Sequence, residues 1–110
     1  MANSDKFVTM IGFGKRAGKL VYGIDKLKTA RGVKLIAVSD TASDNLRTET
    51  ERLADRLKVC VVIAKEMETL VGNNVKALGF TDENMARAVV EYIDGGDAED
   101  IYQIRKGLRR

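Results

Sequence analysis

The sequence predicts an α/β protein, a three-layer α/β/α sandwich with a mixed four-stranded sheet. Three observations lead there. Short apolar runs rich in β-branched residues, at positions 35–38 and 59–63, alternate with longer stretches of helical periodicity. These runs are continuously apolar rather than alternating, the pattern of strands covered on both faces. The chain has 110 residues and is 45% hydrophobic, which suits one modest core and leaves no room for a second domain.

Taken in order, Asn3, Ser4 or Asp5 can cap a first helix in which Phe7, Met10, Ile11 and Gly14 share a face, with Gly18 as its stop. Phe7 and Phe13 are both expected in the core. Residues 19–22 read as a short strand, and Gly23 opens a second helix that runs to about Arg31 and closes at Gly32. After the strand at 35–38, Thr41 or Ser43 can cap a long charged helix to about Leu57. Its Leu46, Leu53 and Leu57 point inward, and Glu49, Arg52 and Arg56 outward. The strand at 59–63 leads to a short helix at 65–71, stopped by Gly72 and Asn73. Residues 75–78 are the last strand expected, and Thr81 or Asp82 caps a helix carrying Met85, Ala86, Val89, Val90 and Ile93.

The domain is expected to span residues 1–94. Gly95 and Gly96 mark a hinge to a basic C-terminal tail, 95–110. In the tail the acids Asp97, Glu99 and Asp100 precede the bases Arg105, Lys106, Arg109 and Arg110, the polarity that a helix dipole favours. With Ile101, Ile104 and Leu108 recurring on one side, a short amphipathic helix is expected.

Composition excludes several classes of function. The chain has no histidine, so the usual general base, the usual zinc ligand and every Ser-His or Cys-His arrangement are missing. No cluster of Lys or carboxylates stands out as a substitute, and the reading is of a non-enzyme without metal or cofactor. Cys60 is the single cysteine and lies inside an apolar run, as a buried reduced thiol would. No apolar run approaches the ~20 residues a membrane span needs, and nothing resembles a secretory signal, so a soluble cytoplasmic protein with no membrane partner is expected.

The net charge is only +3, but its distribution is uneven. Through residue 34 eight bases face two acids; residues 35–104 hold fourteen acids against seven bases; four more bases follow. Such segregation suits a surface that faces a polyanion, where each cation near a phosphate contributes through counterion release.

The glycine-rich segment 12–19 invites two nucleotide-binding readings, and neither fits. A P-loop needs glycine where Phe13 stands and a hydroxyl where Leu20 stands. Gly12, Gly14 and Ala17 match the dinucleotide spacing, with 7–11 as a strand and Asp40 ending a later one. The crossover helix this requires is interrupted by Gly18 and by Leu20, Val21, Tyr22 and Gly23. No small-molecule substrate is therefore expected. The favoured constellation is Lys15, Arg16, Gly18 and Lys19, a short strand, then Gly23, Ile24, Asp25 and Lys26 at a helix start. There, backbone N–H groups and nearby lysines can meet phosphate while Gly23 lets RNA approach closely. Aromatic residues are few, so structured RNA is favoured over a stacked single strand.

The run Gly-Lys-Arg-Ala-Gly-Lys-Leu-Val-Tyr-Gly at 14–23, with Lys-Leu-Ile-Ala-Val-Ser-Asp-Thr-Ala-Ser at 34–43, resembles the kink-turn-binding ribosomal protein superfamily of L-seven-Ae and L-thirty-e. The likeness is strongest to its short bacterial YlxQ-type members and covers roughly residues 4–93. It implies a three-layer fold that binds RNA, often a kink-turn, through the start of the second helix and two neighbouring loops. Gly23 matches the Gly-x-Asn-Glu-like element of the relatives, and Asp25 and Lys26 stand where its polar readers would be. Met67 and Glu68 replace the Leu-Gly that relatives tend to carry, and Gly72 matches.

The expectation is a non-catalytic RNA-binding protein engaging structured RNA, with ribosomal RNA or the ribosome as candidate partners. Lys15, Arg16, Gly18, Lys19, Gly23, Ile24, Asp25, Lys26 and Lys28 would form the site, flanked by Lys65 and Met67. The competing reading is a protein interaction module of the same fold, acting through its acidic middle helix and the tail.

Overall fold

The computed structural model describes residues 6–72, 74–94 and 102–105. The elements run α1 (Lys6–Ala17), β1 (Leu20–Tyr22), α2 (Ile24–Thr29), β2 (Leu35–Ser39), α3 (Asp44–Leu57), β3 (Cys60–Ala64), α4 (Met67–Val71), β4 (Ala77–Phe80), α5 (Glu83–Asp94) and β5 (Tyr102–Arg105). The fold is α/β with a mixed sheet, in the order β1-β4-β2-β3-β5. Strands β2 and β3 are parallel and in register from Leu35↔Cys60 to Ser39↔Ala64. The other pairs are antiparallel.

Alternation along the strands sends side chains into two cores, which makes the three layers. On one face Leu35, Ala37, Val62, Ala64, Leu78 and Phe80 pack with Ile11 of α1, Met67 and Val71 of α4, and Ala86 and Val89 of α5. On the other, Ile36, Val38, Val61, Ile63 and Ala77 pack with Leu27 of α2 and Leu53 and Ala54 of α3. Burying a residue such as Phe80 or Leu27 completely contributes roughly 1.5–3 kcal/mol, so each helix is held chiefly by the stripe it buries.

The caps follow from residue type. Ser43 accepts a hydrogen bond from the Leu46 N–H at 3.1 Å and starts α3, and Asp82 accepts from the Met85 N–H at 3.1 Å ahead of α5. Helix α3 ends at Lys58, whose φ of 61° is the left-handed conformation that terminates many helices. The expected caps of α1 lie outside the described residues.

Four expectations need correction. The described part of the tail is not helical: Tyr102–Arg105 forms β5, paired with β3 from Val61↔Arg105 to Ala64↔Tyr102, and the sheet has five strands rather than four. A short segment can satisfy both periodicities, and the open edge of β3 decides for the strand. The strand expected at 75–78 is shifted to Ala77–Phe80, with Gly79 in its interior. An added Cβ at Gly79 would overlap the Leu27 side chain, so this glycine marks a close approach of α2 to the sheet and not a turn. Helix α2 stops at Thr29, short of Arg31, because Ala30 is already extended. On α1 and α3, Phe13 and Leu57 are not core residues: they are 45% and 36% exposed.

Candidate nucleic-acid interface

Strand β1 is three residues long, and the predicted site residues fall at its two ends. At one end the Lys19 carbonyl accepts from the Thr81 N–H at 2.9 Å. At the other, the Gly23 N–H donates to the Ala77 carbonyl at 2.8 Å. Gly23 is four residue steps of extended chain from Lys19, about 13 Å. The cations of the α1 terminus and the Gly23 turn therefore border the same sheet edge without forming one cluster.

The Gly23 end is the more elaborate. Gly23 has φ 90° and ψ 146°, a conformation that any side chain would strain, and it swings the chain from β1 into α2. Its carbonyl accepts from the Leu27 N–H at 3.0 Å, and no side chain caps the helix. Helix α2 has six residues, so its dipole adds little to anion binding and the shape of the turn counts for more. Facing the turn is the segment between α4 and β4. Gly72 has φ 90° and accepts from the Val75 N–H at 3.2 Å, and Asn74 is left-handed at φ 56°. Tyr22, Gly23, Ile24 and Leu46, together with Asn74, Val75, Lys76 and Ala77, line an open groove of about 400 Å³. No carboxylate lines it. Ile24 is half-buried in its wall, while Asp25 and Lys26 are exposed beside it. Sequence reasoning missed Asn74, Val75 and Lys76, although the pair Gly72 and Asn73 signalled a turn there.

Two carboxylates at this end of the sheet, Glu68 and Asp40, are engaged with the protein. Ser39 is fully buried at the end of β2, and its hydroxyl donates to a Glu68 oxygen at 2.5 Å while accepting from the Met67 N–H at 3.2 Å. The Thr41 hydroxyl donates to the other Glu68 oxygen at 2.6 Å. Those two bonds, with a smaller contribution from the positive charge of Lys76, lower the Glu68 pKa from 4.5 to about 2. Asp40 accepts from the Glu66 N–H at 2.9 Å. The network ties α4, the element that precedes the groove residues 74–76, to the end of β2. Lys65 is exposed just past β3, three strands away from β1.

Three predicted contacts are placed elsewhere. Met67 is fully buried in the core and presents no side chain to a ligand. Lys28 is paired with Glu49 of α3 at 3.2 Å. The Lys15 ammonium donates to the Val71 carbonyl at 3.3 Å, which draws it toward α4. At the α1 terminus Arg16, Gly18 and Lys19 are all exposed, and the Arg16 guanidinium lies 5.3 Å from the centre of the Phe13 ring. Among the described residues no group of His, Cys, Asp and Glu could hold a metal ion, and no helix is long and apolar enough to cross a membrane.

The groove is thus lined by one cation, Lys76, and lies at a glycine turn that opens α2. The curated RNA-binding protein YlxQ of Enterococcus faecium is 29% identical over 100 residues, covering 84% of this chain and 96% of that protein. The chain is similar to YlxQ. The likeness to YlxQ-type proteins read from residues 14–23 and 34–43 thus holds over most of the sequence. No family model matches. Among solved structures, a Bacillus halodurans protein of unknown function aligns with a TM-score of 0.68 at 17% identity, covering 81% of this chain and 97% of that one, which supports the fold.

Proposed function

We propose that this protein is a non-catalytic, cytoplasmic RNA-binding protein that engages structured RNA through the groove between the Gly23 turn and residues 74–76. One observation carries the reading: the groove joins a turn that only glycine makes without strain to a loop bearing Asn74 and Lys76, and no carboxylate faces into it. The name of the Enterococcus relative supports it.

In this reading the path at Gly23 has no side chain to hold a phosphate backbone away. Lys26 and Lys76 supply charge, and Lys65 flanks the same end of the sheet. Asn74 offers amide donors and an acceptor, and Asp25 offers an acceptor to a base edge. Ile24 and Val75 give the groove apolar walls. Shape and backbone recognition of this kind suits folded RNA, with a kink-turn or ribosomal RNA as the finer expectation. The test is binding of a kink-turn hairpin by wild type and by the Lys26→Ala, Lys76→Ala double variant across a salt series. The variant should bind more weakly, with a log-log salt slope shallower by ~0.7–0.9 for each phosphate contact removed. Equal affinity and equal slope would count against the groove.

A further inference from the structure

The exposed end of α1 has no role in that groove. It lies about 13 Å away along β1, yet it carries the features of a nucleic-acid contact. Phe13 is the most exposed of the large hydrophobic residues described, at 45%. Single exposed apolar residues are ordinary, but this ring carries a planar cation: the Arg16 guanidinium lies 5.3 Å from the ring centre. Gly18, at φ 68°, turns the chain so that Lys19 follows at once. Helix α1 contains no acid, and neither Arg16 nor Lys19 forms an ion pair among the described residues. An aromatic ring set among unneutralised cations complements a base and its phosphates.

We propose that Phe13, Arg16 and Lys19 form a second RNA contact surface, one that takes a single-stranded segment by stacking a base against the Phe13–Arg16 pair. The proposal goes beyond the groove and rests on the RNA-binding reading only for the class of ligand. Arg16 supplies a planar cation that stacks on a base or meets a phosphate, and Lys19 meets the next phosphate toward β1. The β1 edge then joins the two surfaces, so a folded RNA seated at Gly23 would lay its unpaired flank toward Phe13.

The experiment uses the full chain and two labelled probes: a single strand of about twelve uridines, and a kink-turn hairpin with no unpaired ends. Phe13→Ala should weaken uridine binding about 5-fold or more and leave the hairpin unchanged, as one lost stacked base requires. Phe13→Tyr, which keeps a ring, should restore it. The Lys26→Ala, Lys76→Ala variant should show the reverse pattern. If wild type does not bind the uridine strand, or Phe13→Ala binds it as well as wild type, the second surface is overturned whatever the hairpin does. If uridine binding depends on Phe13 while no hairpin binding is found, the second surface stands and the groove reading falls. Equal losses for both probes in both variants would indicate one continuous surface and overturn the proposal.

Discussion

The Ser39 hydroxyl and the Glu68 carboxylate meet at 2.5 Å, joining the buried end of β2 to the first turn of α4. Thr41 holds the second carboxylate oxygen, so the charged form of Glu68 is favoured over the neutral one. The bond matters beyond its own energy because α4 is the element that precedes Asn74, Val75 and Lys76, which line the groove.

A pH dependence follows from this. The Glu68 pKa in the folded protein is about 2, below its ordinary 4.5, so the unfolded chain takes up this proton first on acidification. The contribution of Glu68 to stability is complete above about pH 4.5 and is lost as pH falls toward 2. Wild type should therefore lose more stability than Glu68→Gln across that window in denaturant titrations, the other carboxylates cancelling in the comparison. Parallel losses in the two proteins would refute the assignment.

Ser39→Ala should cost about 1–3 kcal/mol, since it strands the Met67 N–H and removes one donor to Glu68 in a fully buried position. Thr41 is exposed, so Thr41→Ala should cost less. Urea midpoints at constant slope would rank them; a larger loss for Thr41→Ala would be the wrong order.

Gly79→Ala should destabilise the fold by about 1–3 kcal/mol, because the new methyl meets the Leu27 side chain and approaches Val33 at 3.2 Å. The compensating change is Leu27→Val in the same chain, which makes room at the cost of a methylene. A thermal melt of Gly79→Ala matching wild type would show that α2 does not pack as closely as described.

Lys58→Gly should raise stability by up to about 1 kcal/mol, since the residue sits at φ 61°, where a side chain is penalised and glycine is not. Chemical denaturation reads this directly, and a loss of stability would mean that the lysine side chain contributes more than its backbone strain costs.

Much of this was legible in the sequence. The buried parallel pair β2 and β3 announced itself as two continuous apolar runs, and Ser43 and Asp82 were visible as caps. The Gly23 turn was legible because a glycine between a strand and a helix has few other uses. What escaped were features set by tertiary contact. Gly79 reads as a strand breaker until Leu27 is seen filling the space of its side chain. Tyr102–Arg105 pairs as a strand because β3 offers an edge. Met67 reads as a groove residue in one dimension and is buried in three. Residue type alone puts Phe13 in the core, although its same-face neighbours Thr9, four residues before, and Arg16, three after, are polar and exposed and mark that side of α1 as an outer one.

Amide chemical-shift mapping of the full protein during titration with a kink-turn hairpin tests the central claim most directly. Perturbations should concentrate at 23–26 and 74–76, which line or border one groove, and should shrink together as salt rises. Saturating hairpin that leaves those amides unmoved, or that shifts only the acidic outer face of α3, would contradict the account.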